Sequence, residues 1–378
     1  MTRTPAAEGG ADPARQERPG KAPHWSQMQE CTSAAGIRLL LLLGRALGPK
    51  ALHAMTLPVL AGYWLASPRL RSTIFDYQRR AAQALLASPQ SRALLQIPGH
   101  PLAALLHEGA AWSPDARSGL AHLSHFGDAI ADKFAASAGP QSGLAQPGLL
   151  IEDGGLFAND ADRTGCVLLT SHAGCQELLA REARLRTGHE LVALQYTGHA
   201  ARFNALLKAA GGEPADVSFF EIGRFTPALA IELSERVERG AYVILAGDRT
   251  PIASEAAAAV PFLGAPARFP TGGALLAALL KCPLRMMTCT RAYACDAPEA
   301  YGTGPQTLSD GRFWIPPSKG GRIYRVRFAS ISEAPSAPRR SRDEALKALM
   351  AAYARELERD ILRSPWDWFN FFDFWKTA

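Results

Sequence analysis

Between Gly165 and Gly247 the chain alternates short, unbroken apolar runs with stretches of helical periodicity, and this alternation restricts the fold more than any other feature. The runs "GCVLLTS" (165–171), "ELVALQY" (190–196), "VSFFEI" (217–222) and "AYVILAG" (241–247) are too short for helices. Each is apolar at consecutive positions, as expected of strands covered on both faces. Helical patterns separate them: 173–186, "ARFNALLKAAG", and "TPALAIELSERVERG", whose Gly240 suits a helix C-terminus. Downstream come a helix at "GGALLAALLK", strands at "PLRMMTCTR" and "GRIYRVRFAS", and a long amphipathic helix at "SRDEALKALMAAYARELERDILRS". The expected fold class is α/β, with a mostly parallel central sheet flanked by helices. The crevice of such a sheet opens at the carboxyl ends of its strands. His172 and Asp248 both directly follow predicted strands, so one crevice can hold both.

The N-terminal third reads differently. Residues 1–22 are rich in Ala, Gly, Pro, Glu and Arg and lack an apolar core, which predicts a disordered leader and not a signal peptide. Residues 23–140 are predicted to be helical, and residues 141–378 to form the α/β core. Within 35–66 an apolar region is interrupted by Arg38, Arg45 and Lys50. Its cleanest stretch, 51–66, falls short of the roughly 20 residues that span a bilayer. Two buried helices and a membrane-associating helical hairpin, interfacial or re-entrant, are both open, with a full transmembrane helix behind them. Farther along, His122, His125 and Asp128 share one helix face. Phe126, Ile130 and Phe134 lie on the same helix and no second ligand cluster accompanies them, so packing histidines are expected there and no metal.

Composition narrows the function classes only slightly. A chain that is 47% hydrophobic and 20% charged is globular and not disordered. A net charge of +6 suits an anionic membrane, an acidic carrier protein or nucleic acid alike. No zinc-finger or RNA-recognition pattern supports the last, and no nucleic-acid partner is expected. The six cysteines include no Cys-x-x-Cys pair and read as buried free thiols.

The stretch "LLTSHAGCQELLAR" (168–181) carries the most chemistry. His172 and Glu177 are five residues apart, an interval that points about 140° away on a helix. The spacing makes sense if Ser171 or His172 is the N-cap and the helix begins near Ala173. Glu177 then accepts a hydrogen bond from one imidazole nitrogen while the other faces the crevice, giving a general base with an orienting carboxylate. An N-cap histidine beside a solvated glutamate is the equally open alternative. Cys175 is expected to be a small helix residue and not a nucleophile. No Gly-x-Ser-x-Gly is present, so such a base would activate a substrate hydroxyl or a water.

Ser-His-x4-Glu after a buried strand resembles the H-x4-D/E motif of the lysophospholipid acyltransferase superfamily. The chain is similar above all to bacterial lipid A late acyltransferases and to their relatives in aryl polyene clusters. Gly247-Asp248-Arg249 after "AYVILA" matches a later motif of those sequences, as does "VPFLGAPARFPTGGALLAALLKCPL" (260–284). The closing "SPWDWFNFFDFW" (364–375) matches an aromatic string, and "TGHAARFNALL" places a substrate-binding arginine on Arg202. The likeness covers about residues 24–375. Two departures are a serine before the histidine in place of asparagine, and Thr271 where the glycerol-phosphate branch has glutamate. The latter argues against a simple glycerol-phosphate acceptor.

The resemblance implies acyl transfer from an acyl-carrier-protein or CoA thioester to a hydroxyl of a membrane lipid, without a cofactor. His172 would be the base, Glu177 its orienter, and Arg202, Asp248 and Arg249 acceptor-binding residues. The place implied is the cytoplasmic face of the inner membrane, peripheral, monotopic or single-pass. The aromatic string would line an acyl tunnel, sit at the interface or pack on the core. A thioesterase using water, a metal-assisted enzyme using His122 and His125, and a non-catalytic lipid-binding relative are the competing readings.

Overall fold

The computed structural model describes residues 49–103, 105–106, 112–156, 165–178, 188–195, 217–221, 226–249, 256–296 and 302–375. The proposed leader and the apolar residues 35–48 lie outside these. The described chain opens with helix α1 (Pro49–Ala66), which is apolar around its circumference. Ser67 ends it and starts α2 (Pro68–Ala87): its hydroxyl accepts from Leu70 N at 3.2 Å, with Pro68 in the first turn. Ser88 repeats the device for the short α3 (Pro89–Ala93). Helix α4 (Ala116–Ala138) begins with a reciprocal capping box between Asp115 and Ser118. No helix among the described residues is long and apolar enough to cross a membrane.

The sheet comprises β1 (Gly148–Glu152), β2 (Cys166–Thr170), β3 (Leu191–Gln195), β4 (Val217–Glu221), β5 (Tyr242–Ala246), β8 (Leu284–Arg291), β9 (Gln306–Thr307), β10 (Phe313–Ile315) and β11 (Ile323–Ser332). Their spatial order is β4-β3-β5-β2-β8-β11-β1-β10-β9. The block β4-β3-β5-β2-β8 is parallel. Strand β11 then runs antiparallel to β8, β1 parallel to β11, and β10 and β9 antiparallel again, so the sheet is mixed though mostly parallel. Helices α5 (Pro227–Glu238), α6 (Gly272–Leu280) and α7 (Arg342–Arg363) accompany it.

Alternate residues of β2 serve different layers, as a doubly covered strand must. Val167 and Leu169 join Leu233, Ala277 and Leu357 on one side. Cys166 and Leu168 join Ala129 and Tyr324 on the other. Helix α2 enters the first of these cores through Tyr77, Ala81 and Leu85.

Two expectations are corrected. The stretch between Asp248 and the helix near Gly272, to which the sequence pattern assigns no element, contains a hairpin, β6 (Ala257–Phe262) with β7 (Ala265–Pro270). Its two-residue turn, Leu263-Gly264, has φ of +48° and +77°, as a tight hairpin requires. Glu358 of α7 accepts from Leu263 N at 2.6 Å and holds the turn down. The second correction is at Ala173, where no helix begins. Residues Ala173 and Gly174 form bridges to other segments, and only a single 3₁₀ turn, Gln176–Leu178, follows.

Helix α1 packs on α4, where Gly119 makes room for an indole: a Cβ there would stand 2.1 Å from the Trp64 ring. His53 of α1 also bonds Asp128 of α4 at 2.6 Å. Away from these contacts Leu57, Val59, Tyr63 and Leu65 of α1 are exposed, spread around the helix, the last at 75%.

Candidate active site

The site forms where β2 leaves the sheet. Beyond Thr170 the chain is stitched on both sides. Gly174 N donates to Asp367 O at 2.6 Å and Phe369 N to His172 O at 2.7 Å, while Cys175 N donates to Cys289 O at 2.9 Å. Gly174 has φ +68°, and a Cβ there would lie 1.8 Å from the Cys289 carbonyl, so only glycine fits between the two strands. The His172 backbone is thereby held between β8 and the C-terminal segment.

Strand β5 is the neighbour of β2, with Thr170 opposite Ala246, so both end at one level and Asp248 comes beside His172. His172 Nδ1 lies 2.8 Å from Asp248 Oδ1. The other carboxylate oxygen accepts from His172 N at 2.9 Å, Trp368 Nε1 at 3.1 Å and Asn370 Nδ2 at 3.0 Å. Asp248 is wholly buried, which by itself opposes ionisation. The His172 charge and hydrogen bonds, with Arg249, outweigh burial and hold its carboxyl down at about 2. An ionised Asp248 can only accept, so Nδ1 carries the proton and Nε2 keeps a lone pair. Among the described residues none hydrogen-bonds Nε2. The His172 side chain is 23% exposed. Burial and then Arg249 lower its pKa, while Asp248 and Glu177 oppose them. The ring is therefore neutral near pH 7 and able to accept a proton.

The hydrogen bond expected from Glu177 to His172 is made by Asp248 instead. Because the chain bridges β8 before it turns, Glu177 is carried toward α4, where it pairs with Lys133. Burial opposes ionisation of Glu177, and Lys133 overcomes it, so its carboxyl stays below the ordinary range. Glu177 reaches His172 only through its charge.

Arg249 is beside the pair. Its Nε donates to Asn370 Oδ1 at 3.1 Å and its Nη2 to Phe369 O at 3.3 Å. Burial lowers its pKa to about 10 against the pull of Asp248. His172, Asp248 and Arg249 are thus together, with Glu177 one layer out, and Arg202 lies outside the described residues. Ser171 Oγ is buried and bonds no described residue, so it is not coupled to His172 as a nucleophile. The Cys175 thiol is pushed well above its usual value by burial and by Glu177, which makes it a poor nucleophile.

Two residues that sequence reasoning missed, Trp368 and Asn370, come from the closing aromatic string. Their signal was the presence of polar Asp367 and Asn370 inside an apolar run, since buried polar groups need partners. The string packs against the core: Trp366, Trp368, Phe369 and Phe374 are buried. Helix α4 anchors it through His122, whose Nε2 lies 2.9 Å from Trp368 O, and His125, whose Nδ1 lies 2.7 Å from Asp367 Oδ1. The two histidines are engaged in packing. Among the described residues no group of three or more His, Cys, Asp or Glu side chains is placed to share a metal.

The arrangement can remove a proton from a hydroxyl or a water and return it to a leaving group. Compared with known proteins, the chain matches no family model and no curated sequence.

Proposed function

We propose that this chain is an O-acyltransferase that moves a fatty acyl group from an acyl-carrier-protein or CoA thioester to a hydroxyl of a membrane lipid. The observation that carries the reading is His172 with Nδ1 locked on a buried, saturated carboxylate, its ring partly open, and no nucleophile among the described residues bonded to it. A base so arranged serves a nucleophile that arrives with the substrate. The acceptor oxygen attacks the thioester carbonyl as Nε2 takes its proton, and Asp248 stabilises the imidazolium. The carbon–sulfur bond of the tetrahedral intermediate then breaks, and the imidazolium proton passes to the leaving thiolate. Arg249 is committed to Asn370 and the Phe369 carbonyl, and its charge helps keep His172 neutral between turnovers.

The exposed apolar side chains of α1, Leu57, Val59, Tyr63 and Leu65, support action at a lipid surface, since apolar groups left in water gain by entering an interface. The location we propose, on the resemblance to the lipid acyltransferases, is the cytoplasmic face of the inner membrane. The test incubates purified protein with acyl-carrier-protein thioester and vesicles of extracted membrane lipid, read by lipid mass spectrometry. Transfer by the wild type and its loss in His172→Ala are expected. Full transfer by His172→Ala overturns the reading, and equal thioester consumption without any lipid assigns a hydrolase. Lipid profiles of a deletion strain and its parent identify the acceptor as the species that loses one acyl group.

A further inference from the structure

An aspartate that orients a histidine must present one chosen oxygen to it, yet the two oxygens of a carboxylate are equivalent and its terminal torsion is soft. At Asp248 the choice is imposed from outside: Oδ1 meets His172 Nδ1, and three donors gather on Oδ2. One is the His172 backbone; the other two are side chains of the C-terminal segment. We propose that Asn370, assisted by Trp368, is the positioning residue of the His172–Asp248 pair, its amide standing between carboxylate and guanidinium and bonding both. The proposal rests on the reading of His172 as the base.

Asn370 uses both ends of its amide. Nδ2 donates to Asp248 Oδ2 at 3.0 Å, and Oδ1 accepts from Arg249 Nε at 3.1 Å. No other side chain of its size can do both. Aspartate would set a second carboxylate against Oδ2, and leucine would offer neither bond. The amide also regulates a competition. Guanidinium and carboxylate favour bidentate pairing, and an Arg249 drawn fully onto Asp248 would take the acceptor that His172 needs. Holding Arg249 Nε on the amide oxygen keeps Oδ1 for the imidazole.

The amide is itself held firmly. Asn370 is 4% exposed. The preceding residues are fixed by Phe369 N to His172 O, Gly174 N to Asp367 O, and His122 to the Trp368 carbonyl. The segment that carries the clamp is therefore registered on the strand end that carries the base, so errors in one are not independent of the other. Rigid support of this kind is what a catalytic geometry requires.

The test follows the His172 Nδ1–H proton resonance, which needs no substrate, in the full-length protein. In Asn370→Leu, of nearly the same volume, the resonance should move upfield or vanish by solvent exchange. In Asn370→Ser, which keeps one donor, the change should be partial. Trp368→Phe should shift it less than Asn370→Leu because Arg249 stays in place. If acyl transfer is detected, kcat of Asn370→Leu should fall about 10- to 100-fold at unchanged KM, the loss common for groups that orient a reacting side chain. A folded Asn370→Leu protein with the wild-type resonance and its wild-type pH titration overturns the proposal. Should Asn370→Leu fail to fold, an unshifted resonance in Asn370→Ser overturns it equally. A resonance that responds in a protein without detectable transfer leaves the positioning role standing and removes the acyltransfer reading instead.

Discussion

His122 provides a test that is independent of any assumed activity. Its ring is fully buried among Tyr77, Trp366, Phe369 and Phe371. Nε2 faces the Trp368 carbonyl at 2.9 Å and so carries the proton, while buried Nδ1 has no partner among the described residues. A second proton would sit on Nδ1 with no acceptor. Burial accordingly lowers the His122 pKa to about 3, despite the help of the Trp368 carbonyl. The unfolded chain takes up this proton below about 6.5 and the folded chain only below about 3. Stability contributed by this group is therefore complete above pH 6.5 and drains away as the pH falls toward 3. At 1.36 kcal/mol per unit, acidification from pH 6.5 to 4 removes roughly 3 kcal/mol through His122 alone. His122→Gln keeps a donor for the Trp368 carbonyl and does not titrate. It should cost about 1–2 kcal/mol at pH 7 through lost packing, and be as stable as the wild type or more so at pH 4. Urea unfolding at pH 7, 5.5 and 4 measures both curves. If the wild type and His122→Gln lose stability in parallel across that range, the argument about Nδ1 is wrong.

Other outcomes follow from the same geometry. Asp248→Asn, which leaves the amide to dictate the wrong imidazole tautomer, should lower kcat by about 10³–10⁴. Glu177→Gln, acting through charge alone, should lower kcat less than tenfold and move the acid limb of the kcat/KM profile to lower pH, because it removes a charge that favours the imidazolium. Equal losses in the two variants would return the orienting role to Glu177. Gly174→Ala, whose Cβ would stand 1.8 Å from the Cys289 carbonyl, should destabilise the fold by more than about 3 kcal/mol, read as a fall in melting temperature. Val59→Glu with Leu65→Glu, on the side of α1 away from α4, should leave the melting temperature within a few degrees and lower co-sedimentation with anionic lipid vesicles at least about tenfold.

Much of the core was legible along the chain. The runs at 165–171, 190–196, 217–222 and 241–247 became β2 to β5 within a residue or two at each end. Doubly buried strands are apolar at every position, and that pattern is local. The helices at Gly272 and Arg342 were equally plain, since the first is, after its opening glycines, an unbroken run of Ala and Leu and the second keeps one apolar stripe over 22 residues. The β6–β7 hairpin was not, because its turn is closed by Leu263, a residue that rarely takes positive φ, and is held by Glu358 from a distant helix. The helix expected at Ala173 failed for a related reason. Gly174 and Cys175 bond the carbonyls of Asp367 and Cys289, and these long-range bonds replace the local ones a helix would make.

Periodicity and strand-end position, both readable from neighbouring residues, were enough to set His172 and Asp248 at the carboxyl edge of one sheet. Which carboxylate meets the imidazole was decided elsewhere. It depended on β5 lying next to β2, which brings together residues 76 positions apart, and on a C-terminal segment that returns to supply Trp368 and Asn370. Hydrogen-bond partners are a matter of distances across the fold, and a five-residue interval in the chain carries no information about them once the backbone between leaves the helix.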